Sequence, residues 1–209
     1  MTDMTNSVLL FPGQGAQAVG MGKDAYDASA AARRMFGRAN EILGFDLAKI
    51  CFTGPETELN KTNVCQPALL VTSLVQMAVL KEQNKLPQFS ATAGLSLGEY
   101  TALAAAEALS FDDAVRIVER RGAFMQEACD RQPSGMASVM GLSIEKIKEI
   151  CASIAGVVVV SNLNSPGQVV ISGDLKALDD ASAKIKEAGA KRVIPLNVAG
   201  AFHSPLMKT

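Results

Sequence analysis

The chain has 209 residues, enough for one large domain or for a large domain carrying a smaller insertion, since domains usually run to about 100–200 residues. Hydrophobic residues make up 48% and charged residues 20%, a globular balance that excludes a disordered or fibrous chain. Twenty basic and 21 acidic residues leave a formal net charge of -1. No overall field therefore recruits nucleic acid or an anionic membrane, and an acidic partner must be met by a local patch.

Cys51, Cys65, Cys129 and Cys151 are widely spaced and form no CxxC pair. This pattern predicts neither a disulfide framework nor a metal site, but reduced thiols buried in a cytoplasmic protein. The opening stretch MTDMTNSVLLFPGQG lacks a basic segment, and its apolar run VLLF is too short for a leader. No other stretch approaches the ~18 uninterrupted apolar residues of a membrane helix.

In chain order, Val8 to Phe11 closed by Pro12-Gly13 reads as a buried strand entering a loop. Ala30 to Leu43 and Pro67 to Lys81 carry helical apolar spacing. After Lys85-Leu86-Pro87, Ala91 to Ala93 is a short strand, followed by Gly94-Leu95-Ser96-Leu97-Gly98 and an Ala-rich helix from Glu99 to Leu109. Ser110 offers an N-cap, with Asp113 three residues on, for a helix from Phe111 to Cys129. From about Met136 the rhythm changes to strand (137–140), helix (144–154), strand (157–161), strand (168–172), helix (175–188) and strand (192–196). This βαββαβ order predicts an antiparallel ferredoxin-like sheet with both helices on one face. Pro133-Ser134-Gly135 and Val198-Ala199-Gly200 punctuate its ends, so residues 134–197 read as an insertion into a larger domain formed by 1–133 and 198–209.

The strongest local signal is GxSxG at 94–98. A nucleophile elbow needs small residues around a serine held in a tight strand-to-helix turn. Ser96 would project its hydroxyl, and the Leu97 N–H at the helix N-terminus would stabilise an oxyanion. A serine needs a positioned base, most often histidine. The chain has one, His203, in Gly200-Ala201-Phe202-His203-Ser204-Pro205. Asp112, Asp113, Asp130 and Asp174 all stand where caps or solvated faces explain them, and none is assigned to the histidine. FPGQGAQA at 11–18 also satisfies G-x-G-x-x-A, but the acidic strand end that a dinucleotide site requires does not follow. The simpler reading is a strand-end loop whose N–H groups, Gln14's included, face an active site.

These motifs converge. FPGQGAQ at 11–17, TGPETELNKT at 53–62, CQPALL at 65–70, GLSLGEYTALAAA at 94–106, ERRGAFMQ at 119–126, NLNSPGQVVISG at 162–173 and AFHSPLM at 201–207 resemble the malonyl-CoA:acyl carrier protein transacylases of fatty acid and polyketide synthesis. The resemblance implies an α/β fold, an α/β-hydrolase-like domain with the ferredoxin-like insertion. It implies ping-pong transfer of malonyl from malonyl-CoA through Ser96 to the phosphopantetheine of acyl carrier protein, with His203 as base and no cofactor of the enzyme's own. The Gln14 and Leu97 N–H groups correspond to the family's oxyanion hole, and Arg121 to the arginine receiving malonyl's carboxylate. Gln66, Met125 and Asn164 fall at positions near the acyl or pantetheine groups, and Phe202 fits malonyl-selective members. Leu95 stands where the family mostly has histidine, which bears on acyl preference. Family members continue beyond AFHSPLM, so the expectation is a chain that stops before its fold is complete. The alternatives are a non-catalytic fragment of such an enzyme and a serine hydrolase of acyl thioesters.

Overall fold

The computed structural model describes residues 7–208. Residues 1–6, the start of the stretch considered above as a leader, and Thr209, the expected premature end, lie outside the described residues. The chain is mixed α/β and divides into two compact units, Met1–Ala123 and Phe124–Thr209.

In the first unit, strand β1 (Val8–Phe11) is followed by helices α1 (Lys23–Ala28), α2 (Ala30–Leu43), α3 (Leu47–Thr53), α4 (Glu56–Leu59) and α5 (Thr62–Glu82). Strand β2 (Ala91–Gly94) and α6 (Leu97–Ala105) come next, followed by α7 (Phe111–Arg131), whose residues from Phe124 on belong to the second unit. β1 and β2 pair in parallel, from Val8 opposite Ala91 to Phe11 opposite Gly94. Because the strands are parallel and in register, both end at the same edge. The FPGQG loop and the GLSLG turn therefore leave the sheet side by side, where α/β proteins commonly place their chemistry.

The core of this unit is built around α5. Val64, Ala68, Leu69, Leu70, Val71, Leu74 and Val75 are buried there with Phe36, Leu47, Leu59, Val115 and Val118. By length and composition α5 could cross a membrane, but most of its apolar window is buried inside the chain itself. It is covered all round in its first part, as a central helix must be. The helix starts at Thr62, not at Pro67. Proline is favoured at the first helical position, which is why the sequence suggests a start there. In the structure the Val64 and Cys65 N–H groups already bond to the Lys61 carbonyl, and Pro67 sits one turn further in. Helices α1, α3 and α4 have six, seven and four residues. Such lengths show no helical period, and of the three only α3 has a side-chain cap, the Asp46 side chain accepting from the Lys49 N–H at 2.9 Å.

The second unit contains β3 (Ser134–Met140), α8 (Ile144–Ala152), β4 (Val158–Ser165), β5 (Gln168–Asp174), α9 (Leu175–Glu187) and β6 (Arg192–Pro195). The sheet order is β4-β5-β3-β6, and every pair is antiparallel. β3 starts three residues earlier than the apolar run suggests, because Ser134 and Gly135 pair with Asp174 and Gly173. β4 extends through polar Asn162 and Asn164 by two register shifts, which break the alternation that would have revealed it. Alternate residues face opposite sides. Ala137, Val139, Val169 and Ile171 pack with Ile147, Ile150, Leu178 and Ile185 of the helices. Met136 and Val170 face the other way, onto Cys129 and Phe202. Each fully buried isoleucine of this unit contributes about 1.5–3 kcal/mol.

Candidate active site

The elbow forms because its glycines permit close approach. A side chain at Gly98 would lie 2.3 Å from the Phe11 carbonyl oxygen, and one at Gly13 would lie 2.7 Å from that of Leu95. Only glycine lets β1, the FPGQG loop and the head of α6 touch backbone to backbone. Between them Ser96 adopts φ 53°, ψ -99°, a conformation that costs a residue with a Cβ about 1–3 kcal/mol and concentrates at functional sites. The turn bonds of the elbow run from the Gly98 N–H to Leu95 and from the Glu99 N–H to Ser96. The Leu97 N–H stands at the N-terminus of α6, where the helix dipole favours negative charge.

Arg121 reaches this turn from α7. Its Nη2 donates to Ser96 Oγ at 2.9 Å, and its Nη1 donates to Gln66 Oε1 at 2.6 Å. Gln66 is fully buried, and its Nε2 donates to Gln14 Oε1 at 3.5 Å. The Gln14 side chain in turn donates to Thr62 Oγ1 at 3.5 Å. A polar chain thus runs from the first turn of α5 through Gln14 and Gln66 to Arg121 and the serine. Gln66 lies behind the arginine and orients it, which explains why a buried amide is retained here: its polar ends are satisfied. The approach of α7 depends on Gly122, where a side chain would come within 2.8 Å of Asn63 Cα and 2.9 Å of the Thr62 carbonyl oxygen.

Gln14, Gln66, Ser96, Leu97 and Arg121 therefore come together in the first unit. Met125, Asn164, Phe202 and His203 belong to the second. His203 is exposed and, like Ser96, has a left-handed backbone, at φ 58°. Its loop is pinned on both sides. The Ala201 N–H donates to Ser134 Oγ at 3.0 Å, and the Ser204 hydroxyl donates to the Ala201 carbonyl at 2.6 Å while accepting from the Leu206 N–H. Phe202 is 5% exposed, packed among Cys129, Met136 and Val170, with Met125 against the same cluster. Asn164 is exposed near the end of β4.

The four cysteines are free and buried. Burial pushes Cys51 and Cys65 up to about 12, and Cys129 and Cys151 are raised for the same reason, so none offers a thiolate nucleophile near neutral pH. The aspartates have the structural occupations expected of them. Asp112 binds Arg38, whose hydrogen bonds hold its carboxyl below the usual range. Asp113 caps α7 with Ser110, Asp130 accepts from Gln126, and Asp174 caps α9.

The sequence did not single out Tyr100, Thr62, Gly122, Ser134 or Ser204. Tyr100 carried no readable signal, because its contact with Arg121 joins α6 to α7. The hydroxyls of Ser134 and Ser204 carried none, because ordinary turn chemistry places serine at such positions.

Residues 8–209 match the acyl transferase domain family. The chain is 48% identical over 208 residues to the malonyl CoA-acyl carrier protein transacylase of Bacillus subtilis, covering 98% of this chain and 65% of that protein. The Staphylococcus aureus (strain MRSA252) protein of the same name is 45% identical, with 98% and 66% covered. Among solved structures, an acyl carrier protein S-malonyltransferase from Vibrio cholerae superposes with a TM-score of 0.89 at 42% identity, over 96% of this chain and 66% of that one. A malonyl-transacylase in complex with its type II PKS acyl-carrier protein gives 0.92 at 42% identity, over 97% and 66%. The chain thus spans just under two thirds of the length of these relatives. The chain belongs to the acyl transferase domain family.

Proposed function

We propose that this chain moves malonyl from coenzyme A to the phosphopantetheine thiol of an acyl carrier protein, by a ping-pong mechanism through a malonyl ester on Ser96. The observation that carries the reading is the guanidinium of Arg121 within hydrogen-bond distance of Ser96 Oγ. In malonyl the reacting carbonyl carbon and the free carboxylate carbon are separated by one methylene, about 2.5 Å apart given bonds of about 1.5 Å. A receptor for that carboxylate must stand beside the nucleophile, and arginine's planar fork suits it.

In this scheme Ser96 Oγ attacks the thioester carbonyl while His203 takes its proton. The negative charge that forms on the carbonyl oxygen is met by the N–H groups of Leu97 and Gln14. The C–S bond breaks and coenzyme A leaves as its thiol with the proton from His203. The carrier's thiol then attacks the ester, its proton passes to His203, and Ser96 departs with a proton returned. All transferred atoms come from the substrates, so the scheme calls for no resident cofactor. The strained backbone at both Ser96 and His203 supports the assignment of the pair.

Met125 and Asn164 are proposed to line the acyl and pantetheine path. Phe202 is proposed to disfavour branched acyl groups through its fixed packing, a discrimination that one methyl makes modest, about 10–200-fold. The fold reading is an α/β-hydrolase-like domain, 1–133 and 198–209, with residues 134–197 inserted as a ferredoxin-like domain. A cytoplasmic location accompanies the reading. Incubation with malonyl-CoA and holo-carrier protein tests the scheme: malonyl on the carrier is expected. Free malonate at the same rate without carrier would mark a thioester hydrolase, and neither product would mark a non-catalytic fragment.

A further inference from the structure

Two hydrogen bonds fix directions within the plane of the Arg121 guanidinium, to Gln66 and to Ser96. They leave the plane able to tilt about the line joining the two acceptors. A bidentate grip on a carboxylate requires the fork and the carboxylate to be coplanar, so something must set that tilt. The guanidinium carbon stands 5.5 Å from the centre of the Tyr100 ring, within the ~6 Å range over which a cation is held by an aromatic face. Tyr100 is well placed to do this because its own ring is packed against the core of the first unit.

We propose that Tyr100 is a positioning residue that sets the plane of Arg121 and thereby selects ligands ending in a carboxylate. This rests on the reading of Arg121 as the carboxylate receptor. The interaction uses the ring face and not the hydroxyl, so phenylalanine suffices and an aliphatic side chain of similar bulk does not.

The test uses the chain labelled with nitrogen-15 at arginine, with the Arg121 Nε–H resonance assigned by its loss in Arg121→Lys. In the wild type that proton is expected upfield of the other arginines, under the ring. Tyr100→Leu and, as a second aliphatic variant, Tyr100→Met return it downfield, while Tyr100→Phe leaves it in place. Malonate titrated against the same resonance binds about five- to tenfold more weakly to the aliphatic variants, and within about twofold of wild type to Tyr100→Phe. A wild-type resonance showing no ring shift overturns the proposal, as does a malonate affinity unchanged in Tyr100→Leu and Tyr100→Met. Failure of Ser96 to take up malonyl from malonyl-CoA, with the resonance and affinity behaving as stated, would sink the transfer scheme and leave the role of Tyr100 standing.

Discussion

In the second unit the central strands β3 and β5 are each buried over five consecutive residues, whereas in the first unit Leu10 of β1 is 76% exposed. The second unit covers its sheet from both sides, with α8 and α9 on one face and the Cys129–Phe202 cluster on the other. The first unit takes its core from helices around α5 and uses its two parallel strands for something else. They hold two turns at a common edge and fix the backbone approach that Gly13 and Gly98 permit. One sheet is a source of stability, and the other is a jig for the Ser96 turn.

The contrast can be broken where the head of α6 meets β1. Gly98→Ala places a methyl against the Phe11 carbonyl. It should cost about 3 kcal/mol, at the upper end of overpacking penalties, read by denaturant unfolding. Amide protection in β3 and β5 should stay unchanged, because the second unit has its own core. Next in size, Arg121→Ala should lower malonyl loading of Ser96 about 100-fold, the scale of losing a charge-assisted bidentate contact. Acetyl loading should stay within about threefold, and equal losses would contradict the carboxylate role. Gly122→Ala acts one step back, pushing α7 off the first turn of α5 at a cost of about 1–2 kcal/mol. Malonyl loading should fall more than acetyl loading, because Arg121 is displaced while Ser96 is not.

The smallest effect belongs to the second unit. The Asp174 carboxylate accepts from the Ala177 and Val157 N–H groups, and these bonds lower its pKa. A group with a lowered folded pKa stabilises above its unfolded value, about 3.9, and loses that contribution as pH falls through the folded value. Asp174→Ala should therefore cost about 1 kcal/mol at neutral pH. The difference from wild type should shrink below about pH 4. A difference independent of pH would show that the charge of the carboxylate adds nothing to the cap.

Much of this was legible from residues. The βαββαβ order of short strands and helices after Met136 announced the second unit, and the GxSxG turn announced Ser96. What escaped has physical causes. The start of α5 was hidden by Pro67, whose preference for a first turn pointed to the wrong end of that turn. The short helices α1, α3 and α4 have no period to read. Bulges in β4 broke its alternation. Within the site, Arg121 on its own looked like a solvated helix charge, and only the match of ERRGAFMQ to a family marked it. Its partners Gln66 and Tyr100 are contacts between elements far apart in the chain, which no local pattern encodes. Gly122 was the overlooked clue, a glycine inside a helix beside the arginine that reaches Ser96.

The central claim is that Ser96 carries the acyl group. Brief exposure to malonyl-CoA, an acid quench and mass spectrometry of a peptic digest should find one malonyl group per chain, on the peptide holding Ser96, and none in Ser96→Ala. An unlabelled wild-type chain, or a label that survives Ser96→Ala, would contradict it.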